Sequence, residues 1–333
     1  MVKKILLSLL LVMVALIVGL VAYVEISWDK TYDVPYPELQ VSTDSAVIAR
    51  GKYLVHGPAH CSNCHVGSVE EMISADAGEN IPLKGGVAFP FGPLGTLYAP
   101  NLTPDPKTGI GRFSDGQIFR MMRHGIRPSG MASIPLLMPF WNMADEDLVA
   151  VVSYLRSMPP VENEVPQAHW SFMGKVMKSF MPIFKPILDP TPPKLAPAMK
   201  PTIERGEYIA RYVANCVGCH TERDLTTYSA IGPEFAGGME FEPDPNFNKA
   251  VGEDPNLWIK TPNITPDPNS AFAQFKTLDE WKARFKKGRV INISPMHWGP
   301  FSKMSDEDIE ALFIYLNSLD PIPRDVGTLV YKK

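Results

Sequence analysis

The chain has 333 residues, enough for two domains of ordinary size. Its formal net charge of −4 is small, so a partner held mainly by charge, such as a nucleic acid or an anionic membrane surface, is not indicated. The 33 prolines predict short helices separated by long irregular segments.

The N-terminal segment is typical of a membrane span. Residues 5–24 carry no charge, and twenty residues at about 1.5 Å each cover about 30 Å, the thickness of a bilayer core. We expect residues 1–27 to form an uncleaved anchor rather than a signal peptide, because the apolar run is long and no small-x-small pair precedes Glu25. Lys3 and Lys4 predict a cytoplasmic N-terminus, with the rest of the chain across the membrane.

The four cysteines form two copies of one pattern. The copies are Cys61-Ser-Asn-Cys64-His65 and Cys216-Val-Gly-Cys219-His220. A closed zinc site needs four ligands, and a thioredoxin-like dithiol needs a βαβ context and no histidine, so neither fits well. The pattern instead predicts covalent attachment of haem c, with thioethers at the cysteines and a histidine on the proximal side of each iron.

An internal duplication surrounds these motifs. An offset of 155 residues carries Cys61 onto Cys216. Three further stretches recur in the same order, 48–56 as 203–211, 100–106 as 262–268, and 143–161 as 304–322. Two copies are too few to stack as a solenoid, so we predict one domain that has been duplicated.

Each repeat is predicted to begin and end with a helix. The first helix contains a glycine, Gly51 or Gly206, which is costly unless another element packs closely against it. We expect the last helix of the same repeat to make that contact. The candidate residues for it are Tyr154 or Leu155 in the first repeat, and Tyr315 or Leu316 in the second.

The start of the last helix differs between the repeats. In the second repeat it carries a capping signal, Ser305-x-x-Asp308, whereas the first repeat has Ala144 at the equivalent place and therefore a weaker cap. No stretch of the chain carries a clear strand signal, so we expect no strands.

A proline-rich linker is predicted at residues 162–201. Ten of the 33 prolines lie between Met158 and Thr202. Within it, residues 169–185 carry an apolar stripe at helical spacing with interspersed lysines. We favour a helix packed across the two repeats, and the alternative is a docking surface for the membrane or for a partner subunit.

Together these features resemble the tandem di-haem cytochromes c built from two class I cytochrome c domains, and in particular the membrane-anchored cytochrome c subunits of periplasmic dehydrogenases or respiratory complexes. The resemblance covers roughly residues 45–322. It implies an all-α fold, with cytochrome c domains at 42–161 and 202–323 after an N-terminal transmembrane helix. It also implies two covalently bound haem c groups, a single-pass anchor in a bacterial inner membrane, and haem domains in the periplasm.

The resemblance places each distal iron ligand on the loop before the last helix. A methionine opposite the histidine raises the potential of a low-spin haem. The resemblance therefore implies that His65 and Met138 bind one iron, and that His220 and Met296 bind the other. Met131 is the runner-up for the first haem. The other residues considered are Met143, Met304 (expected to pack in the core), and His124 and His297, which would make bis-histidine sites.

Supporting residues follow from the same resemblance. Pro233, and Pro82 in the first repeat, match a proline whose carbonyl accepts a hydrogen bond from the proximal histidine. Four polar side chains in the recurring turn segments are candidates either for haem propionate contacts or for turn formation: Asn101, Thr103, Asn263 and Thr265. Arg123 is a further candidate propionate partner.

The resemblance implies an electron-transfer protein or subunit rather than an enzyme. It would connect a dehydrogenase or quinol oxidiser with a terminal acceptor at the outer face of the membrane, and its expected partners are a dehydrogenase, an oxidase or a soluble cytochrome. The alternative is a haem enzyme with an open first haem, such as a di-haem peroxidase or a thiosulfate-oxidising cytochrome. Methionines in both repeats disfavour the former, and the lack of a fifth cysteine disfavours the latter.

Overall fold

The computed structural model describes residues 1–224 and 226–333, apart from the side chain of Leu136. The helices in chain order are α1 Val2–Ser27, α2 Ser45–His56, α3 Val69–Asp76, α4 Asp115–His124, α5 Asp145–Ser157, α6 Phe172–Phe180, α7 Ile203–Tyr208, α8 Cys216–Cys219, α9 Pro245–Ala250, α10 Leu278–Lys286, α11 Trp298–Ser302 and α12 Asp306–Asn317. Helices are the main regular structure and contain 43% of the residues.

The N-terminal helix α1 is long and apolar. It has 26 residues, and its most apolar window of 18 residues has a mean hydropathy of 3.2 with no residue buried in the protein. Within the described part of the chain it is the single helix with the length and composition to cross a membrane. By these properties alone it fits either an anchor or a signal sequence.

The two ends of each repeat pack against one another at a glycine. A Cβ added to Gly51 of α2 would lie 1.9 Å from the carbonyl oxygen of Ala150 in α5 and 2.8 Å from Cβ of Tyr154. The equivalent distances from Gly206 of α7 are 2.0 Å to the oxygen of Ala311 in α12 and 2.5 Å to Cβ of Tyr315. The predicted helix crossing is therefore confirmed in both repeats, with Tyr154 and Tyr315 rather than the leucines beside the glycine.

The predicted difference in helix capping is also present. The Ser305 hydroxyl accepts a hydrogen bond from the Asp308 backbone N–H of α12, at 3.2 Å. Ala144 gives α5 no side-chain cap. In both helices, three acidic residues in the first turn also interact favourably with the positive end of the helix dipole.

The expectation that strands would be absent is wrong. The described residues form two small antiparallel sheets, with the strand orders β1–β2–β3 and β4–β5–β6. The strands are β1 Ala88–Pro90, β2 Gly95–Tyr98, β3 His169–Trp170, β4 Glu240–Phe241, β5 Trp258–Lys260 and β6 Val330–Tyr331. Each has only two to four residues, which is too short for an alternating pattern to stand out in the sequence.

The linker segment does form a helix, but the prediction that it packs across both repeats is wrong. Helix α6 packs on the first repeat, where a Cβ on Gly174 would lie 2.1 Å from the Leu94 carbonyl oxygen. It also contacts β3, the turn at residues 182–184 and α1. Strand β3, at the start of the segment, pairs with β2 of the first repeat.

The two repeats share one hydrophobic core, and one tyrosine of each repeat contacts the other repeat. The Tyr53 hydroxyl donates to Asp308 at 2.5 Å and accepts from the Ser305 N–H at 3.2 Å. Its counterpart Tyr208 donates to Asp147 at 2.8 Å and accepts from the backbone N–H of Ala144 at 3.0 Å. Each tyrosine thus binds the start of the last helix of the other repeat.

Each of these aspartates also forms an ion pair with an arginine of its own repeat. Arg205 forms an ion pair with Asp308 at 2.7 Å, with both side chains fully buried, and Arg50 pairs with Asp147 at 2.8 Å. Because the same hydrogen-bonded group occurs twice with the tyrosines exchanged, the two repeats are joined by a reciprocal interface with approximate two-fold character.

Candidate haem-attachment sites

The two Cys-x-x-Cys-His motifs form compact turns. The first begins with a 3₁₀ turn, Cys61–Asn63, and the second is the one-turn helix α8. In both, the histidine backbone N–H donates to the carbonyl of the first cysteine, His65 to Cys61 at 3.1 Å and His220 to Cys216 at 2.8 Å. The residues immediately before the motifs, His60 and Asn215, adopt φ values of 46° and 53°. Such left-handed geometry is uncommon outside glycine and marks the same sharp entry into both turns.

The histidine of each motif is fixed by a distant carbonyl group. Nδ1 of His65 lies 2.9 Å from the Pro100 oxygen, and Nδ1 of His220 lies 2.9 Å from the Pro262 oxygen. Because a carbonyl can only accept, Nδ1 must carry the proton, which leaves the lone pair on Nε2. Burial lowers the pKa of both histidines, so the neutral form that binds a metal is favoured.

The prediction of which prolines accept the hydrogen bonds from the two histidines is therefore wrong. Pro82 and Pro233 were the predicted acceptors, whereas Pro100 and Pro262 provide the oxygens. The correct residues begin the two copies of the recurring Pro-Asn-x-Thr-Pro-Asp segment, so the repeat itself contained the signal.

A glycine with positive φ fits between each histidine and its proline. The Gly85 N–H donates to the His65 carbonyl at 3.0 Å, and its φ is 68°. A Cβ on Gly85 would lie 2.4 Å from the Pro100 carbonyl carbon, so no other residue fits without displacing the histidine's acceptor. Gly237 repeats this arrangement with a φ of 69° and a Cβ position 2.4 Å from the Pro262 carbonyl carbon.

The recurring turn segments are tied to the chain that follows the last helix. Asn101 donates to the Val161 carbonyl at 2.8 Å, and Asn263 donates to the Ile322 carbonyl at 2.9 Å. The side-chain oxygen of each asparagine accepts from the threonine two residues later, Thr103 or Thr265. Of the two roles considered for these residues, the structure supports turn formation, which holds the proline carbonyls in place.

All four cysteines of the two motifs are half-buried. Burial raises the pKa of Cys61 and Cys216 to about 12, and that of Cys64 and Cys219 to about 11. Nucleophilic and redox-cycling cysteines have lowered pKa values. The environment thus argues against a catalytic dithiol, and it presents two thiols and a neutral histidine on one turn, the donor set that haem c attachment requires.

Met138 and Met296 occupy matching turns. The Met138 carbonyl accepts from the Phe140 N–H at 2.8 Å, and the Met296 carbonyl accepts from the Trp298 N–H at 2.8 Å. Both side chains are partly buried against the same hydrophobic cluster that contacts Cys61 and Cys216. The runner-up, Met131, instead forms a backbone bridge to Thr31, just after α1.

The remaining ligand candidates have other contacts. Nδ1 of His124 lies 2.7 Å from the Ile187 oxygen, and Met143 and Met304 are buried in the core at the starts of α5 and α12. Arg123, predicted to meet a propionate, donates to the carbonyls of Trp141 and Met143 at 2.8 and 2.7 Å and pairs with Asp145. These contacts brace the loop between Met138 and α5.

No family model matches the chain. The cytochrome c subunit of the alcohol dehydrogenase (quinone) of Komagataeibacter europaeus is 28% identical over 311 residues, covering 86% of this chain and 59% of that protein. The fructose dehydrogenase cytochrome subunit of Gluconobacter japonicus is 27% identical over 297 residues, covering 85% and 54%. A diheme cytochrome c-type protein of Cereibacter sphaeroides is 23% identical over 278 residues, covering 79% and 82%.

These relatives support the membrane-associated di-haem cytochrome c family. The chain spans little more than half the length of the dehydrogenase subunits it matches, and most of the length of the diheme cytochrome. At both motifs the histidine–proline contact holds a neutral imidazole whose Nε2 lone pair is available to a metal.

In this chain, the loop around Met296 is held by the first repeat. The ring of His297 stacks on that of His60 with centroids 4.0 Å apart and an interplanar angle of 10°. Arg289, which precedes the loop, binds both Asp76 of α3 and the Ser294 carbonyl. Since His60 directly precedes Cys61, the contact joins the candidate attachment turn of one repeat to the candidate ligand loop of the other.

Proposed function

We propose that the chain is a di-haem electron-transfer subunit, anchored in a bacterial inner membrane by α1. Residues 42–161 and 202–323 would form two class I cytochrome c domains on the periplasmic side. The observation that carries the proposal is an arrangement that occurs twice, a Cys-x-x-Cys-His turn whose histidine Nδ1 lies 2.9 Å from a proline oxygen. Haem c supplies one-electron redox chemistry when it is bound.

The residues proposed to hold the two haems are those of the motifs and the matching methionine turns. Cys61 and Cys64, with Cys216 and Cys219, would attach them, and His65 and His220 would bind the irons. Met138 and Met296 would be the opposite ligands. Support for Met138 over Met131 comes from the turn that it shares with Met296, and a methionine at both sites disfavours an open first haem.

The proposed partner is a periplasmic dehydrogenase. Several relatives are cytochrome subunits of alcohol, fructose or gluconate dehydrogenases. This subunit would accept electrons from such an enzyme and pass them, through its two haems, to a downstream acceptor. Retention of α1 is supported by its contacts with the rest of the chain, because Glu25 pairs with Lys175 at 2.6 Å and Ser27 bonds to Ser179 at 2.9 Å.

Counting haems per chain tests the proposal. The full chain, produced in a host that matures c-type cytochromes, is expected to contain two haems by the pyridine haemochrome assay and no zinc by elemental analysis. Cys64→Ala and Cys219→Ala form a matched pair, and each is expected to lower the count without abolishing attachment at the other motif. A chain with one haem or none, or with bound zinc, would contradict the proposal.

A further inference from the structure

Helix α6 exposes an apolar stripe beside the end of the membrane helix. Phe172, Met173, Val176 and Phe180 fall within about 100° of arc on the helix at 3.6 residues per turn. Phe172, Met173 and Phe180 have exposed fractions of 48%, 55% and 53%. The opposite face, with Gly174, is buried against the first repeat. An exposed apolar stripe on a helix fixed from behind indicates a surface that something else covers.

The C-terminal end of α1 contacts this helix directly. The rings of Tyr23 and Phe180 lie 5.4 Å apart, so the stripe continues onto the membrane helix. Lys175 forms an ion pair with Glu25 at 2.6 Å. The Ser27 hydroxyl donates to that of Ser179 at 2.9 Å. Three separate interactions therefore hold α6 at the level where α1 ends.

That level is where a spanning helix meets water. Glu25 is the first charged residue after the apolar run of α1, and tyrosine and tryptophan side chains are enriched at membrane interfaces. Tyr23 and Trp28 flank Glu25 at this end of α1, and the ammonium groups of Lys175 and Lys178 lie 5.0 and 5.2 Å from the centre of the Trp28 ring. The lysine heads thus occupy the polar side of the same boundary.

We propose that α6 lies along the outer surface of the membrane, with Phe172, Met173, Val176 and Phe180 inserted among the lipids. The inference rests on the proposed function in one respect, that α1 spans the bilayer. The occupant of the stripe is the lipid itself, because the stripe is continuous with the part of α1 that would be in the bilayer. Burying an apolar helix face at the interface is favourable in proportion to its area.

Two contacts with the membrane, rather than one, would fix the orientation of the first repeat. Lys178 lies between the rings of Trp28 and Trp170, 5.2 and 5.0 Å from their centres, and so connects the end of α1 to β3. With α1 and α6 both held, the first repeat would present one face to the membrane instead of swinging about a flexible tether. Its attachment turn would then stay at a constant height above the bilayer.

The test uses the full chain with both haems in nanodiscs of phosphatidylcholine and phosphatidylglycerol. A phosphatidylcholine with a diazirine in its acyl chain is photolysed, and the modified peptides are identified by mass spectrometry. In parallel, Met173→Cys and a control on the second repeat, Lys249→Cys, are labelled with a membrane-impermeant maleimide. Lipid adducts are expected on residues 172–180 as well as on α1. Met173→Cys is expected to react about tenfold more slowly than the control, since an apolar side chain strongly favours lipid over water.

The outcomes separate this inference from the proposed function. Adducts on α1 but not on α6, with equal labelling of the two cysteine variants, would overturn the inference and leave the anchor intact. No adducts on α1 would overturn the anchor as well. Protection of Met173→Cys in native membranes but not in nanodiscs would show that a protein covers the stripe, and the lipid proposal would be wrong. Equal haem content in all samples confirms that the variants are mature.

Discussion

Replacing Asp308 with asparagine is expected to be strongly destabilising. The Arg205 and Asp308 side chains are both fully buried, and two guanidinium nitrogens lie 2.7 and 3.0 Å from the carboxylate oxygens. Removing one member of a buried ion pair leaves the other charge uncompensated, which costs about 3–5 kcal/mol. Asp308→Asn should lower the free energy of unfolding by that amount.

Replacing Tyr53, which contacts the same carboxylate from the other repeat, is expected to lower the free energy of unfolding by a smaller amount. Tyr53→Phe removes a hydrogen bond to a charged group, which contributes about 1.5–3 kcal/mol, but the ion pair of Asp308 with Arg205 remains. Tyr208→Phe is the matched variant on the other side of the interface and should lose a similar amount. Because each tyrosine joins two repeats, either change should weaken the contact between them.

Denaturant unfolding of the haem-loaded protein in detergent, followed by circular dichroism, measures these costs. The control is Tyr36→Phe, at a side chain that is 49% exposed, which should change the free energy of unfolding by less than about 0.5 kcal/mol. The order of destabilisation should be Asp308→Asn, then Tyr53→Phe, then Tyr36→Phe. If Asp308→Asn costs no more than Tyr53→Phe, or if Tyr53→Phe matches the control, these buried contacts do not stabilise the protein as inferred.

Three further outcomes are expected. Gly206→Ala should lower the free energy of unfolding, measured by thermal unfolding, by about 1–3 kcal/mol, because the added Cβ would lie 2.0 Å from the backbone oxygen of Ala311. Unchanged stability would contradict this close packing. Burial lowers the pKa of His56 from 6.5 to about 4, so the unfolded state binds a proton first as the pH falls. The free energy of unfolding should therefore drop between pH 6.5 and 4, and less so in His56→Gln. A redox titration of His60→Ala should show a shifted potential for the second haem, because His60 stacks on His297, and His60→Phe should retain the original value.

Much of the architecture follows from the internal repeat. The glycine crossings and the helix caps were predictable because each depends on residues whose spacing recurs, such as Gly51 with Tyr154 and Gly206 with Tyr315. Packing at such a crossing needs only a small residue on one helix and an apolar face on the other, and both are visible in the sequence.

The features that were missed depend on contacts between distant segments. Pro100 contacts His65 through a backbone oxygen, so although its segment recurs in the sequence, the side chains do not show which residue this oxygen contacts. Strands β3 and β6 are two-residue segments whose partners lie more than 65 residues earlier in the chain. The exchange of tyrosines was hidden because Tyr53 and Tyr208 both recur at equivalent positions, so the sequence alone cannot show which repeat each one contacts.

The central claim is that two haems are each bound by a histidine and a methionine. Redox titration with optical spectra of Met138→Ala and Met296→Ala, with Met131→Ala as the matched control, tests it most directly. Each of the first two variants should lower the potential of one haem and remove its part of the long-wavelength methionine-to-iron absorption band, since methionine ligation raises haem potentials. Met131→Ala should leave both haems unchanged. Unaltered spectra and potentials in Met296→Ala, or loss of the band in Met131→Ala, would contradict the account.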